Sequence, residues 1–211
     1  MDRITVVTTL KKDVGYGLPG KPGMAYVNVD GNVIVGANRN LSQVGVSFYE
    51  LSYLLPEGTI LTALEDMNPQ ELMSLSKVHK DMQVDKKRVL FKTPEAFHFL
   101  IGRDALNSRE LELLLYIDVI EATNTASNLF FRDEWAGFPE AVQHVIVQCL
   151  VSLGVKRFTC ATEFRSALRR RKWSDAADAL LDLRVPDALG KDMPTSAWDR
   201  YHRYAETLRL I

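Results

Sequence analysis

The sequence predicts an α+β fold, with a small β-containing N-terminal lobe and a mainly helical C-terminal lobe. Two observations carry this. Residues 1–106 hold short β-branched and apolar runs punctuated by glycine and proline, including an Asp30-Gly31 turn signal between two of them. From Asn107 onward, apolar residues recur at helical spacing with few breakers. The chain has 211 residues, 46% hydrophobic and 25% charged, enough for one core or two small lobes.

The elements follow in order. Ile4 to Leu10 is rich in β-branched residues and reads as a strand. Gly15 to Gly23 carries Gly15, Gly17, Pro19, Gly20, Pro22 and Gly23, which disfavour both a helix and a central strand. Met24–Val29 and Asn32–Ala37 read as the strands of a hairpin (24–37) closed by a two-residue Asp-Gly turn. Ser47 to Leu55 reads as a short helix stopped by Pro56. Asn68-Pro69-Gln70-Glu71 opens another helix, running to about Met82, with Asn as cap, proline in the first turn and glutamate three residues on. Lys86-Lys87-Arg88 leads into the apolar stretch Val89-Leu90-Phe91, and Thr93-Pro94-Glu95 starts a short helix. A long helix is expected from Ser108 to about Asn128, apolar nearly all round in its first half. Glu140 to Leu153 follows, ended by Gly154. Thr162–Lys172, Ser174–Leu183 and Ser196–Leu210 complete the set.

The formal net charge of −1 gives no global field toward nucleic acid or an anionic membrane, so neither is expected as a partner. No apolar run approaches the roughly 20 residues needed to span a bilayer. Met1-Asp2-Arg3-Ile4 lacks the charged-then-apolar layout of a signal peptide. Cys149 and Cys160 fit no C-x-x-C spacing and are expected to be reduced and packed. The histidines, His79, His98, His144 and His202, make no metal-ligand spacing, so no metal and no cofactor is expected, and each is expected at the surface or locally hydrogen-bonded. Gly15-Tyr16-Gly17-Leu18-Pro19-Gly20 has the glycines of a phosphate-binding loop, but proline removes the N–H donors such a loop needs.

The segment Tyr26-Val27-Asn28-Val29-Asp30-Gly31-Asn32-Val33-Ile34-Val35-Gly36-Ala37-Asn38-Arg39 resembles the catalytic hairpin of the phage-type lysozymes, which reads roughly Y-x-D-x-x-G-x-x-T-I-G-x-G-H. Tyr26, Gly31, Val35 and Gly36 keep the spacing; Asn28, Ile34 and Arg39 stand where that family has aspartate, threonine and histidine. The helical half adds Gly154, with Trp173 nineteen residues later in Lys172-Trp173-Ser174-Asp175-Ala176-Ala177, similar to the family's R/K-W-x-x-A-A. There the tryptophan would plug two helices and the alanines would admit a close neighbour. Pro194-Thr195 opens the last helix as the family's T-P-N-R does, although Trp198 and Asp199 replace its arginines. The resemblance implies a lysozyme-like fold: a remodelled N-terminal lobe over residues 1–106, with an inserted segment at 42–106, and a helical lobe over 107–211.

Glycoside hydrolysis in that family needs a protonated glutamate at the end of an N-terminal helix, nine residues before the hairpin aspartate. That count lands on Pro19, where neither the acid nor the helix is expected. Asn28 carries no negative charge and Ile34 forms no hydrogen bond to water or sugar. Asp13, Asp30 and Glu50 are the nearby carboxylates. They read as a loop charge, a turn former and a surface residue, so no catalytic residue is assigned.

The resemblance thus implies a non-catalytic lysozyme-like protein of a tailed phage or prophage, a tail or baseplate component located in the virion or the host cytoplasm, with other virion proteins as partners. Two alternatives stay open. One is a peptidoglycan-cleaving muramidase with relocated carboxylates; the other is a module that grips peptidoglycan or inhibits a host protein, with Tyr26, Asn28 and Arg39 lining its cleft. Elsewhere, Arg169-Arg170-Arg171-Lys172 reads as a solvated helix C-terminus, or else as a surface for an anionic partner. Phe130-Phe131, Trp135 and Phe138 read as core at a helix junction, and any exposed part of that cluster as an interaction site.

Overall fold

A computed structural model describes residues 1–14, 17–18, 21–28, 31–36, 39–55, 80–85, 87–183 and 195–211. Helix α1 spans Arg3–Val14, and eight short strands follow in order among the described residues: β1 Gly17–Leu18, β2 Lys21–Pro22, β3 Tyr26–Val27, β4 Val33–Val35, β5 Arg39–Asn40, β6 Val46–Ser47, β7 Met82–Asp85 and β8 Arg88–Phe91. Helix α2, Phe48–Leu54, stands between β6 and β7. The remaining described helices are α3 Pro94–Ile101, α4 Ser108–Leu129, α5 Arg132–Ala136, α6 Glu140–Cys160, α7 Thr162–Arg169, α8 Trp173–Asp182 and α9 Thr195–Arg209. The fold is mixed α+β, with small antiparallel sheets toward the N-terminus and a helical C-terminal part. Among the described residues, no single helix is long and apolar enough to cross a membrane.

The chain forms two compact units, Gly15–Leu115 and Met1–Val14 with Tyr116–Ile211. Against the expected division at 106 and 107, Met1–Val14 falls with the C-terminal helices, and the boundary lies within α4.

The β-containing unit, Gly15–Leu115, holds three antiparallel sheets, β1-β2, β3-β4-β5 and β6-β8-β7. Tyr26 pairs with Ile34 and Val35 with Arg39. This register leaves three residues between Asn28 and Asn32 instead of a two-residue turn, and the Asn28 N–H donates to Asn32 O at 2.9 Å. Gly31 takes φ 76, as a three-residue hairpin loop demands. Leu41 N–H donates to Val33 O (2.7 Å) and Phe91 N–H donates to Leu41 O (3.0 Å), stitching the second sheet to the third. The core gathers Val33, Val35, Leu51, Phe91, Phe97 and Leu111, with the Phe91 and Phe97 rings edge to face at 5.3 Å. Helix α2 starts as read: Ser47 accepts from Glu50 N–H (3.2 Å), and the Glu50 carboxylate accepts from Ser47 N–H (2.5 Å), a reciprocal cap. Helix α3 is capped by Thr93 and ended by Gly102 at φ 70. The helix read from Asn68 lies outside the described residues except at its end, where Lys80 and Asp81 turn and Met82 opens β7.

In the helical unit the main correction is α1. The stretch read as a strand from Ile4 to Leu10 is a helix. Asp2 accepts from Ile4 N–H (3.0 Å) and from the Thr5 hydroxyl (2.6 Å), satisfying donors at the helix start. Val6, Val7 and Leu10 lie on one helical face and are buried, and α1 packs on α6 and α9. Burial of that face outweighs the tenths of a kcal/mol by which β-branching disfavours helix. The other helices fall close to the expected ranges, except that the short α5 was not expected. Gly154 (φ 76, ψ 159) breaks α6 as anticipated, but the chain resumes helical form to Cys160. Buried Ala176 and Ala177 let α7 and α9 pack closely on α8, and the Trp173 ring meets Phe138 edge to face at 6.0 Å.

Candidate functional site

The hairpin β3-β4 and the strand after it bring Tyr26, Ile34 and Arg39 into one sheet, with Asn28 just past the end of β3. Asn28 closes its own turn: its Oδ1 accepts from Asn32 N–H at 2.9 Å, while its carbonyl accepts from Gly31 N–H at 3.0 Å. Further amides and a hydroxyl continue that network. Asn32 Oδ1 accepts from Gln43 Nε2 (3.1 Å), Ser42 Oγ accepts from Val33 N–H (2.8 Å), and Asn40 Oδ1 accepts from Ser42 and Gln43 N–H. Ile34 is buried in the sheet. Tyr26 is half-buried, and that burial raises its phenol above the ordinary range.

Arg39 and Glu50 correct two expectations together. Arg39, expected at a sugar or partner cleft, is 3% exposed, and Glu50, expected at the surface, is 1% exposed. The Arg39 guanidinium donates through Nη2 to Glu50 Oε1 and through Nε to Gly45 O (3.2 Å). The second Glu50 oxygen accepts from Ser47 N–H. A buried carboxylate survives only with such partners, and here it both caps α2 and neutralises the arginine. Local backbone makes room: Gly45, at φ 66, sits where a Cβ would lie 2.3 Å from Val89 O. The sequence held the signal for Glu50, since Ser47-x-x-Glu50 is a capping box; the partner on a different strand had none.

Asp13 stands one residue before the end of α1, so the helix judged missing ahead of the hairpin is present. Asp13 and Asn28 are separated by fifteen residues, against the nine of the lysozyme spacing, and the Asp13 side chain lies outside what is described. Asp30 and His79 also lie outside the described residues.

The other candidates are held in place. His98 Nε2 accepts from Ala25 N–H (3.1 Å), which leaves its proton on Nδ1. His144 is partly buried 3.6 Å from Glu140; burial lowers its pKa and Glu140 opposes that shift. His202 is exposed. Cys149 is packed as expected, and burial pushes its thiol far up, whereas Cys160 is exposed. Among the described residues no group of three or more His, Cys, Asp or Glu side chains could hold a metal ion. A groove of about 440 Å³ in the helical unit is lined in part by Asp2, Ile4, Tyr116, Trp135 and Gln143. Its polar groups serve the fold: Asp2 caps α1, and Gln143 Nε2 donates to Trp135 O and Phe138 O.

The aromatic junction divides. Phe130, Trp135 and Phe138 are buried as read, but Phe131 is 72% exposed at φ 56, ψ 143. Its exposure has no sequence signature, because Phe130 and Phe131 are chemically identical neighbours. The run Arg169–Lys172 is exposed at the end of α7, as the solvated reading expects.

No protein-family model matches this chain, and no curated protein matches it. The resemblance to phage-type lysozymes rests on the residues and their order.

Proposed function

We propose that this chain is a non-catalytic, lysozyme-like structural or interaction protein of a tailed phage or prophage, built into or onto the tail or baseplate. The observation that carries this reading is the chemistry of the hairpin. Where the lysozyme pattern has a carboxylate, Asn28 spends its amide oxygen on Asn32 N–H. Ile34 is buried alkyl, and the Arg39 guanidinium is committed to Glu50. An amide, an alkyl chain and a guanidinium neither give nor take a proton at neutral pH. Other virion proteins are the partners this reading implies, with peptidoglycan the alternative.

One observation favours a second reading, a muramidase with relocated carboxylates. Helix α1 exists, and Asp13 stands near its C-terminal end, a carboxylate on an element of the kind the family uses. Loss of turbidity of purified peptidoglycan separates the two readings. The first expects no clearing by the parent chain or by Asp13→Asn; clearing by the parent that Asp13→Asn abolishes would establish the second. Pelleting with the same peptidoglycan, without clearing, would instead support a non-cleaving binding module.

A further inference from the structure

The corner between α4 and α5 is built at odds with stability. Phe131 places an aromatic ring in water, 72% exposed, on a backbone at φ 56 and ψ 143 that L-residues other than glycine rarely adopt. Its neighbour Phe130 is fully buried, with the Arg169 guanidinium 5.7 Å from its ring centre. Arg169 also donates to Leu129 O at 2.8 Å and lies 3.8 Å from Glu134. The Arg171 Nη2 comes within 2.9 Å of where a Cβ on Gly137 would stand, and Arg171 itself holds φ 55. The basic run therefore lies against the segment Leu129–Gly137, which holds Phe131. Glu134 and Asp175 pair with Arg169 and Lys172, while Arg132, next to Phe131 in the chain, and Arg170 and Arg171 are exposed, Arg170 also donating through Nε to Ser166 O at 3.3 Å.

We infer that this corner is a docking surface for an acidic segment of a partner protein, in which an apolar side chain covers the Phe131 ring and carboxylates meet Arg132, Arg170 and Arg171. An exposed aromatic flanked by arginines is the composition of an interface anchor, and Arg forks accept carboxylates bidentately. Charge sets the choice of occupant: the cations call for anions. A single-stranded nucleic acid fits less well, since stacking along a strand needs several aromatic platforms and Asp133 repels phosphate. The inference deepens the interaction reading and rests on it for the existence of a partner. It does not depend on the hairpin.

The test pans a random library of short peptides against the intact chain. Selected peptides are expected to carry Asp or Glu beside Leu, Phe or Trp. Their affinity should fall about thirtyfold with Phe131→Gly. It should fall at least about tenfold with Arg170→Glu/Arg171→Glu, and should weaken as salt rises. Phe131→Gly suits its backbone, so loss of binding there is not loss of fold. No enrichment over the unselected library, or peptides indifferent to both variants, would overturn the inference. Binding of oligo-dT or of phosphatidylglycerol vesicles that both variants abolish, without peptide selection, would overturn it in favour of a phosphate ligand. Peptidoglycan clearing would sink the proposed function and leave this surface untouched.

Discussion

In the β-containing unit the Arg39 guanidinium is sealed from water against Glu50, whereas in the helical unit Arg170 and Arg171 stand in solvent, in a run packed against the segment that holds the exposed Phe131. The first arginine sits in a motif that resembles a catalytic hairpin, yet its chemistry is spent on the fold. The second group lies in a charge run that reads as a solvated helix end or as a surface for an anionic partner, and it packs against the one described corner that combines strained backbone with an exposed aromatic ring. Position in a motif nominates a residue; burial and partners decide what it can do.

This contrast can be broken at several points. The largest effect is expected from Glu50→Ala. It strands a buried guanidinium and removes a cap, which should lower stability by about 4 kcal/mol in urea unfolding. A double variant, Arg39→Met with Glu50→Leu, should recover to within about 2 kcal/mol of the parent, because packed apolar chains replace the pair. Equal losses in the single and double variants would mean the pair does not hold the sheet to α2. Next comes Gly45→Ala, whose Cβ would meet Val89 O at 2.3 Å on a backbone at φ 66; unfolding should show a loss of about 2–3 kcal/mol.

At the other corner the sign should reverse. Phe131→Gly relieves a strained φ and exposes little that was buried, so thermal unfolding should show a gain of about 1 kcal/mol. A loss would show that the ring is held by the fold and not kept for a partner.

The smallest effect concerns His144. Burial lowers its pKa from the ordinary 6.5, with Glu140 and Asp2 opposing and the N-terminal amine reinforcing. The folded state therefore resists protonation more than the unfolded state does. Stability is fully present above pH 6.5 and declines as pH falls through the depressed folded value. Replacing His144 with Gln should flatten that part of the stability-pH curve.

Much of this was legible in the residues. The run Ser47 to Leu55 and Thr93-Pro94 marked two short helices, Gly154 marked a break, and Ala176-Ala177 marked a close helix contact. The failures have physical causes. Ile4 to Leu10 looked like a strand because β-branching was weighed alone, while the Asp2 cap and the 6, 7, 10 apolar spacing favoured helix. Glu50 reads as exposed because a carboxylate on a short helix with Leu51, Leu54 and Leu55 belongs on the polar face, whereas the strand that supplies Arg39 lies eleven residues away, in another element. The positive φ of Phe131 follows from how α4 and α5 meet, which no local pattern encodes.

The central claim is that this chain does not cleave peptidoglycan. Its most direct test is mass spectrometry of soluble products after prolonged incubation of the intact chain with purified peptidoglycan, beside an active phage lysozyme. The account predicts no new glycan reducing ends from this chain, while the active enzyme releases them. Release of disaccharide fragments by the intact chain, lost on Asp13→Asn, would contradict it.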